Sequence, residues 1–402
     1  MRAKSFLVWL VILGTLGTMS LASTPAQTGT KPRARDLGIP FEGTPGPLNA
    51  ITDVRGVEVG QVTIISGEGK LVVGQGPVRT GVTVVFPQGK SFRERLFGAW
   101  FTLNGNGEMT GTTWLKESGC LGSPILITNT QSVGVVRDAV IEWNVKHGPA
   151  GDYSGDFSLP VVAETWDGFL NDIDGFHVKK EHVFEALDRA RPGPVAEGNV
   201  GGGTGMICYG FKGGTGTSSR VVDRRDQQYT VGVLVQTNHG NARQLVVAGV
   251  PVGLELPEGL GFDRGKGSHL SRESKSSIII VIATDAPLLP HQLKRIARRA
   301  SLGLARTGSI SANGSGDIFL AFSTANAGAS ERSGEFEMTA LANTEMNPLF
   351  EATVQATEEA IINSLIAAET MEGFEGKVVA LPQDLLLEIL RKYNRVDAVQ
   401  KQ

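Results

Sequence analysis

Ser277-Ile278-Ile279-Ile280-Val281-Ile282-Ala283-Thr284 is the stretch that decides how this chain is read. Its interior is apolar at every position, with no polar alternation. It therefore predicts a strand buried on both faces, inside a sheet rather than at its edge. Immediately upstream, residues 257–276 carry four glycines, several charges and several serines, and no apolar period. That composition predicts an exposed loop of the kind that tolerates or invites chain cleavage. A serine thus stands where a cuttable loop gives way to a rigid strand. If the bond before it breaks, the freed α-amine, with an ordinary pKa near 8, is a base beside its own hydroxyl. The plain alternative is a serine that merely begins a strand.

Working outward, strand and helix signals mix in both halves. Residues 54–65 and 78–86 are dense in β-branched residues between Gly and Pro, and predict strands. Residues 132–147 have helical apolar spacing, with Ser132 as the expected cap. Residues 159–164 predict a strand and 182–190 a short helix. Strands are expected at 229–237 and 244–249, with Asn238-His239-Gly240 as the turn between them. After Ser277 come an amphipathic helix over 290–307, a strand over 318–323, and a long helix to about residue 370. Asn347 would cap that last helix, with Pro348 at its first position. No period of 20–50 residues repeats, which excludes a solenoid. A layered α/β sandwich is the fold class these signals predict.

The 402 residues are 41% apolar, enough for a large core, and Lys+Arg (38) nearly balance Asp+Glu (41), for a net charge of −3. No basic face for nucleic acid is indicated. Residues 1–26 have a basic start at Arg2 and Lys4, an apolar run from Phe6 to Leu21, and small residues at Ala22, Ser23, Thr24 and Ala26. This predicts a secretory signal peptide cut between Ala22 and Ala26, and leaves no membrane anchor after its removal; the alternative is a retained single anchor. Residues 27–48 read as a loose arm. Cys120 and Cys208 either pair or sit as two small buried residues. The six histidines are scattered and form no His-Glu-x-x-His pair, so no metal site is expected. The Gly-x-Ser-x-Gly elbow of α/β-hydrolases is missing; the nearest fragment is Gly314-Ser315-Gly316. The glycine runs at 201–205 and 213–216 lack the Lys-Ser/Thr of a phosphate loop and read as tight turns.

Six motifs, in order, resemble the family of L-aminopeptidase/D-esterases and β-peptidyl aminopeptidases. They are Asn49-Ala-Ile-Thr-Asp-Val54, Leu159-Pro-Val-Val-Ala-Glu-Thr-Trp-Asp-Gly168, Val233-Leu-Val-Gln-Thr-Asn-His-Gly240, the run from Ser277 to Pro290, Gly314-Ser-Gly-Asp-Ile-Phe-Leu-Ala-Phe-Ser323, and Asn347-Pro-Leu-Phe350. The similarity runs from about Asp36 to Leu390. It implies a precursor that cuts itself between Ser276 and Ser277 into an α-chain (27–276) and a β-chain (277–402). The two chains would share one αββα sandwich resembling the N-terminal-nucleophile hydrolases but with different strand connectivity. Members assemble as oligomers of αβ units. Signal peptide and length look closest to periplasmic members.

Roles carry over by motif. Ser277 matches the nucleophile, with its α-amine as base. Ser315 and Asp317 match the serine and acidic residue beside it, a carboxylate able to orient hydroxyls and hold the ammonium form. Asn238 matches a donor to the oxyanion. Trp166 stands where some relatives carry a tyrosine that polarises the substrate carbonyl; an indole donates but cannot accept, and a pocket wall is the alternative. Gln131 sits where a contact to the substrate's amine is expected, with Glu108 and Glu164 as other candidates. The chain departs from the family at Asp317, where Glu is frequent, and at Ser276, where Gly or Asn is. Either serine could head the β-chain, but the Ile-Ile run matches only if Ser277 leads. The implied activity is release of N-terminal residues, β-amino acids such as β-alanine, from short peptides and amides through an acyl-enzyme, without metal or organic cofactor. The rivals are L-α-aminopeptidase or D-amino-acid amidase/esterase preference, and a binding protein with a degenerate site.

Overall fold

The computed structural model describes residues 31–90, 94–147, 158–224, 227–261, 276–326 and 334–397. In chain order its sheet strands are β1 (Glu58–Ser66), β2 (Val78–Phe86), β3 (Leu96–Gly105), β4 (Cys120–Leu121), β5 (Ile125–Asn129) and β6 (Val161–Thr165). They continue with β7 (Thr215–Arg224), β8 (Gln227–Asn238), β9 (Ser276–Thr284) and β10 (Ser315–Ser323). The longer helices are α1 (Thr112–Ser118), α2 (Val133–His147), α3 (Lys180–Arg189), α4 (Pro290–Arg306), α5 (Asn347–Ile366) and α6 (Gln383–Lys392). The strands make a four-stranded sheet, β1-β2-β5-β6, and a six-stranded sheet, β4-β3-β10-β9-β8-β7.

Every residue of β9 is buried, and the strand is interior to its sheet, parallel to β10 and antiparallel to β8. Its two faces feed two cores. Ile278, Ile280 and Ile282 pack with Leu293, Ile296 and Ala300 of α4 and Ala356 and Ala360 of α5. Ile279, Val281 and Ala283 pack with Val85, Ile125, Ile127 and Val161 of the smaller sheet. Each fully buried isoleucine stabilises the sandwich by roughly 1.5–3 kcal/mol. The smaller sheet's other face, through Val82, Val84, Leu126 and Val162, packs on Val136, Val140 and Trp143 of α2 and Val183 and Leu187 of α3. Helices, sheet, sheet and helices form an αββα sandwich.

The glycine runs serve close packing. A side chain at Gly216 would place its Cβ 2.0 Å from the Ala360 carbonyl oxygen, so α5 lies on β7 only because none is there. Gly201–Gly203 is a buried 3-10 turn, and a Cβ at Gly202 would meet Gln236 Oε1 at 2.2 Å and the Ile127 carbonyl at 2.6 Å.

Several expectations change. Residues 244–249 form no strand: a 3-10 turn ends at Gln244, and Val247 makes only an isolated bridge to Val250. Ser132 is not a cap; Asn129 Oδ1 accepts its N–H at 3.0 Å, capping a 3-10 turn that runs into α2. Asn347 lies inside its helix, after a Met346 whose backbone is already helical, and the helix ends at Ile366. Cys120 and Cys208 are both buried thiols and form no disulfide with each other. Among the described residues no helix is long and apolar enough to cross a membrane, and no His/Cys/Asp/Glu group is arranged to hold a metal. The expected signal peptide and most of the loop before Ser276 lie outside the described residues.

Candidate active site

The larger sheet brings four of the expected residues to one strand end. Ser277 pairs with Asn238, the last residue of β8, on one side and with Gly316 of β10 on the other. Ser276 pairs with Ser315, and Ile278 with Asp317. By strand alternation Ser277 shares the face of Ile279, and Asn238 that of Leu234, both turned to the gap between the sheets. Ser315 and Asp317 take the alternate parity, that of Phe319, on the helix side. The carboxyl therefore meets the main chain of β9, and the Ile278 N–H is turned to it.

Ser276 and Ser277 are each only 4% exposed. The Ser277 hydroxyl donates to the Ser276 carbonyl oxygen at 2.6 Å, so it already rests on the peptide bond expected to break. Asp317 is buried. Ser315 Oγ donates to its Oδ1 at 2.6 Å, and Ser311 Oγ donates to its Oδ2. Burial pushes the carboxyl above its usual range, and the two hydroxyls and the Ile278 main chain pull it back. Nothing in the sequence about a serine six residues before an aspartate signals Ser311.

Asn238 is buried with its amide oriented at both ends. Its Nδ2 donates to the Trp166 carbonyl at 2.8 Å, and its Oδ1 accepts the Ile207 N–H at 3.1 Å. Trp166 meets Asn238 through its carbonyl. Its ring meets Phe169 edge-on, centroids 4.8 Å apart, against the cluster of Leu170, Ile207 and Met371. Next to it, Asp167 is fully buried and accepts from Asn171 Nδ2 at 3.0 Å; burial pushes its carboxyl up to about 7.

The three residues considered for the substrate's amine separate clearly. Gln131 is exposed and donates to Asp174 Oδ1 at 3.1 Å, and Glu108 is exposed. Glu164, at the end of β6, is 3% exposed. It accepts the Glu108 N–H at 3.0 Å and the Thr130 hydroxyl. Burial raises its carboxyl, against the pull of those two donors, and the Glu108 charge adds to the rise. A Cβ built at Gly107 would lie 3.2 Å from both Glu164 Oε1 and the Gly316 Cα. Only the width of a glycine separates this carboxyl from the strand beside Ser277.

Two stacked sheets with a buried serine heading a central strand are the framework of hydrolases of the N-terminal-nucleophile kind, and this chain is a peptidase on a variant of that framework. It belongs to peptidase family S58, whose model matches residues 49–379. The chain is 55% identical to the β-peptidyl aminopeptidase BapA of Sphingosinicella microcystinivorans over 390 residues, 94% of this chain and 96% of that one. A β-aminopeptidase structure from Burkholderia sp. superimposes with a TM-score of 0.80 at 46% identity, covering 90% of this chain and 98% of the other. The L-aminopeptidase D-ala-esterase/amidase of Ochrobactrum anthropi, described as a prototype for the serine aminopeptidases and a new variant of the Ntn hydrolase fold, gives a TM-score of 0.84 at 47% identity, covering 91% and 100%.

Proposed function

We propose that the chain cuts itself between Ser276 and Ser277, and that the new N-terminal serine releases N-terminal residues, β-amino acids such as β-alanine, from short peptides and amides. The observation that carries this is the Ser277 hydroxyl held 2.6 Å from the Ser276 carbonyl oxygen at the head of a rigid central strand. In the cut, Oγ adds to the Ser276 carbonyl carbon, the C–N bond breaks, and the hydroxyl proton passes to the departing Ser277 nitrogen. Water then hydrolyses the ester, leaving an α-amine on Ser277.

In turnover, that amine takes the proton from Oγ as Oγ attacks the substrate carbonyl. Asp317, beside the main chain of β9, favours the resulting ammonium. Asn238, opposite Ser277, supports the oxyanion through its amide. The ammonium then returns its proton to the leaving amine, and water releases the acyl group. Glu164 is the carboxylate best supported for holding the substrate's own ammonium, because it is buried and borders the gap. Trp166 forms a wall.

The β-residue preference is supported by the β-peptidyl aminopeptidase named among the relatives. The L-aminopeptidase D-ala-esterase/amidase supports the second reading, preference for L-α residues or D-amino-acid amides and esters. Initial rates on β-alanyl, L-alanyl and D-alanyl p-nitroanilides test the two. A fastest β-alanyl rate supports the first reading, and a faster L- or D-alanyl rate moves the enzyme to the second. No release from any of them overturns both. The same reading has the chain secreted to the periplasm, supported by the basic start and apolar run of residues 2–21, and assembled as a homo-oligomer of αβ units. Retention of the enzyme in the cytoplasmic fraction would refute the location.

A further inference from the structure

Asp317 has two carboxylate oxygens and two seryl hydroxyls on them: Ser315 on Oδ1 and Ser311 on Oδ2. Ser315 sits on β10 with the carboxyl, in ordinary extended backbone. Ser311 does not. Its φ is +51°, the left-handed region that an L-residue other than glycine rarely adopts. Such a conformation persists only where the surroundings hold it, and here they do. The Ser311 N–H donates to Ser309 Oγ at 3.2 Å. Asn104, the residue of β3 opposite Asp317, donates through Nδ2 to the carbonyl oxygens of Ala312 at 2.7 Å and Ser311 at 3.3 Å. Further back, Tyr209 Oη takes a main-chain hydrogen bond from Ser309 and lies 2.8 Å from Thr307 Oγ1. The turn is fixed from three sides, and the outcome is one hydroxyl on the outer oxygen of Asp317.

We propose that Ser311 is a positioning residue for the reaction: its hydroxyl fixes the rotation of the Asp317 carboxylate, so that Oδ1 stays on Ser315 and the carboxylate stays against the start of β9. The proposal rests on the reading of Ser277, Ser315 and Asp317 given above. About χ2, a broad two-fold torsion, Ser315 and the Ile278 main chain alone hold the carboxylate less firmly than they do with a donor on Oδ2. That donor also favours the ionised form. The groups bonded to the carboxyl are the two seryl hydroxyls and the Ile278 main chain, and the phenol of Tyr209 is near enough to feel its charge. Burial holds that phenol neutral, and the imidazole of His239 stands edge-on to it with centroids 5.0 Å apart. Removing the Ser311 donor from this set raises the pH at which Asp317 gives up its proton.

The test compares Ser311→Gly, Ser311→Ala and Asp317→Asn with the wild type, with chain composition checked by mass. Glycine relieves the left-handed backbone while deleting the hydroxyl, so Ser311→Gly should melt higher than Ser311→Ala, which loses the same hydroxyl and keeps the strain. Its kcat should nevertheless fall about tenfold with KM unchanged, and the acid limb of kcat against pH should move to higher pH. Ser311→Ala should show the same kinetic change even if it melts lower. Wild-type kcat and pH profile in both Ser311 variants, with Asp317→Asn inactive, would overturn the role of Ser311 alone. Full activity in Asp317→Asn would overturn the site reading on which it rests.

Discussion

Asn238 faces Ser277 directly across β8 and β9, the last residue of one strand against the second of the other, with both side chains turned to the gap between the sheets. The Trp166 carbonyl and the Ile207 N–H fix the amide's orientation before any substrate arrives. Donors that need no rearrangement are the effective ones for an oxyanion. We expect Asn238→Ala to lower kcat by about 10²–10³-fold with a smaller effect on KM. A variant that keeps kcat within twofold while melting normally would remove Asn238 from the reaction.

Glu164 should act on binding rather than on chemistry. We predict that Glu164→Gln raises KM for a substrate with a free amine by about 10–100-fold, the worth of one charged hydrogen bond, with kcat changed less. The pH sign follows from the raised carboxyl. Wild-type binding is present above that raised value and is lost as pH falls through it, whereas the Gln variant should show no such dependence. Parallel KM–pH curves for the two proteins would rule this role out.

Asp167 makes a separate prediction for stability. Its carboxyl moves from an ordinary 3.8 to about 7 in the folded protein. The folded state thus binds the extra proton between these values, and stability falls as pH rises through that window. Asp167→Asn carries no such proton. The difference in Tm, variant minus wild type, should grow from about pH 4 to pH 7 and level off above it. A difference that stays flat over this range would mean that the carboxyl is ionised in the folded state.

Gly216→Ala probes the contact of β7 with α5. The added Cβ would fall 2.0 Å from a main-chain oxygen, that of Ala360, which has no flexible end to move aside. We expect a loss of more than about 3 kcal/mol in urea unfolding. A loss under about 1 kcal/mol would show that strand and helix can separate at little cost.

The parts of this fold legible in the sequence are those where burial and apolarity coincide. β9 lies between two apolar cores, so its residues are apolar at successive positions and mark it as interior. β7 is not legible as a strand because its buried positions are polar. Ser218 Oγ bonds the Ala356 carbonyl at 2.6 Å, Ser219 Oγ bonds Asp53 at 2.6 Å, and Arg220 pairs with Glu359 at 2.6 Å. Each satisfies its polar groups through residues far away in sequence, which no local pattern reports. The site divides the same way. Motif order identified Ser277, Ser315, Asp317 and Asn238, but their arrangement depends on strand register. That Glu164, rather than Gln131, borders the gap depends on where Gly107 crosses it. Ser311 depends on one left-handed turn, and no residue type marks it.

Self-cleavage would make Ser277 a chain terminus, which intact mass and N-terminal sequencing of the purified mature protein, beside Ser277→Ala, detect without any assay of turnover. Two chains are expected in the wild type, one beginning Ser277-Ile278-Ile279, and a single chain in the variant. A single uncut wild-type chain with aminopeptidase activity would contradict this, because no free α-amine would then exist to serve as the base; a chain beginning at Ser276 would keep self-cleavage and move the nucleophile by one residue.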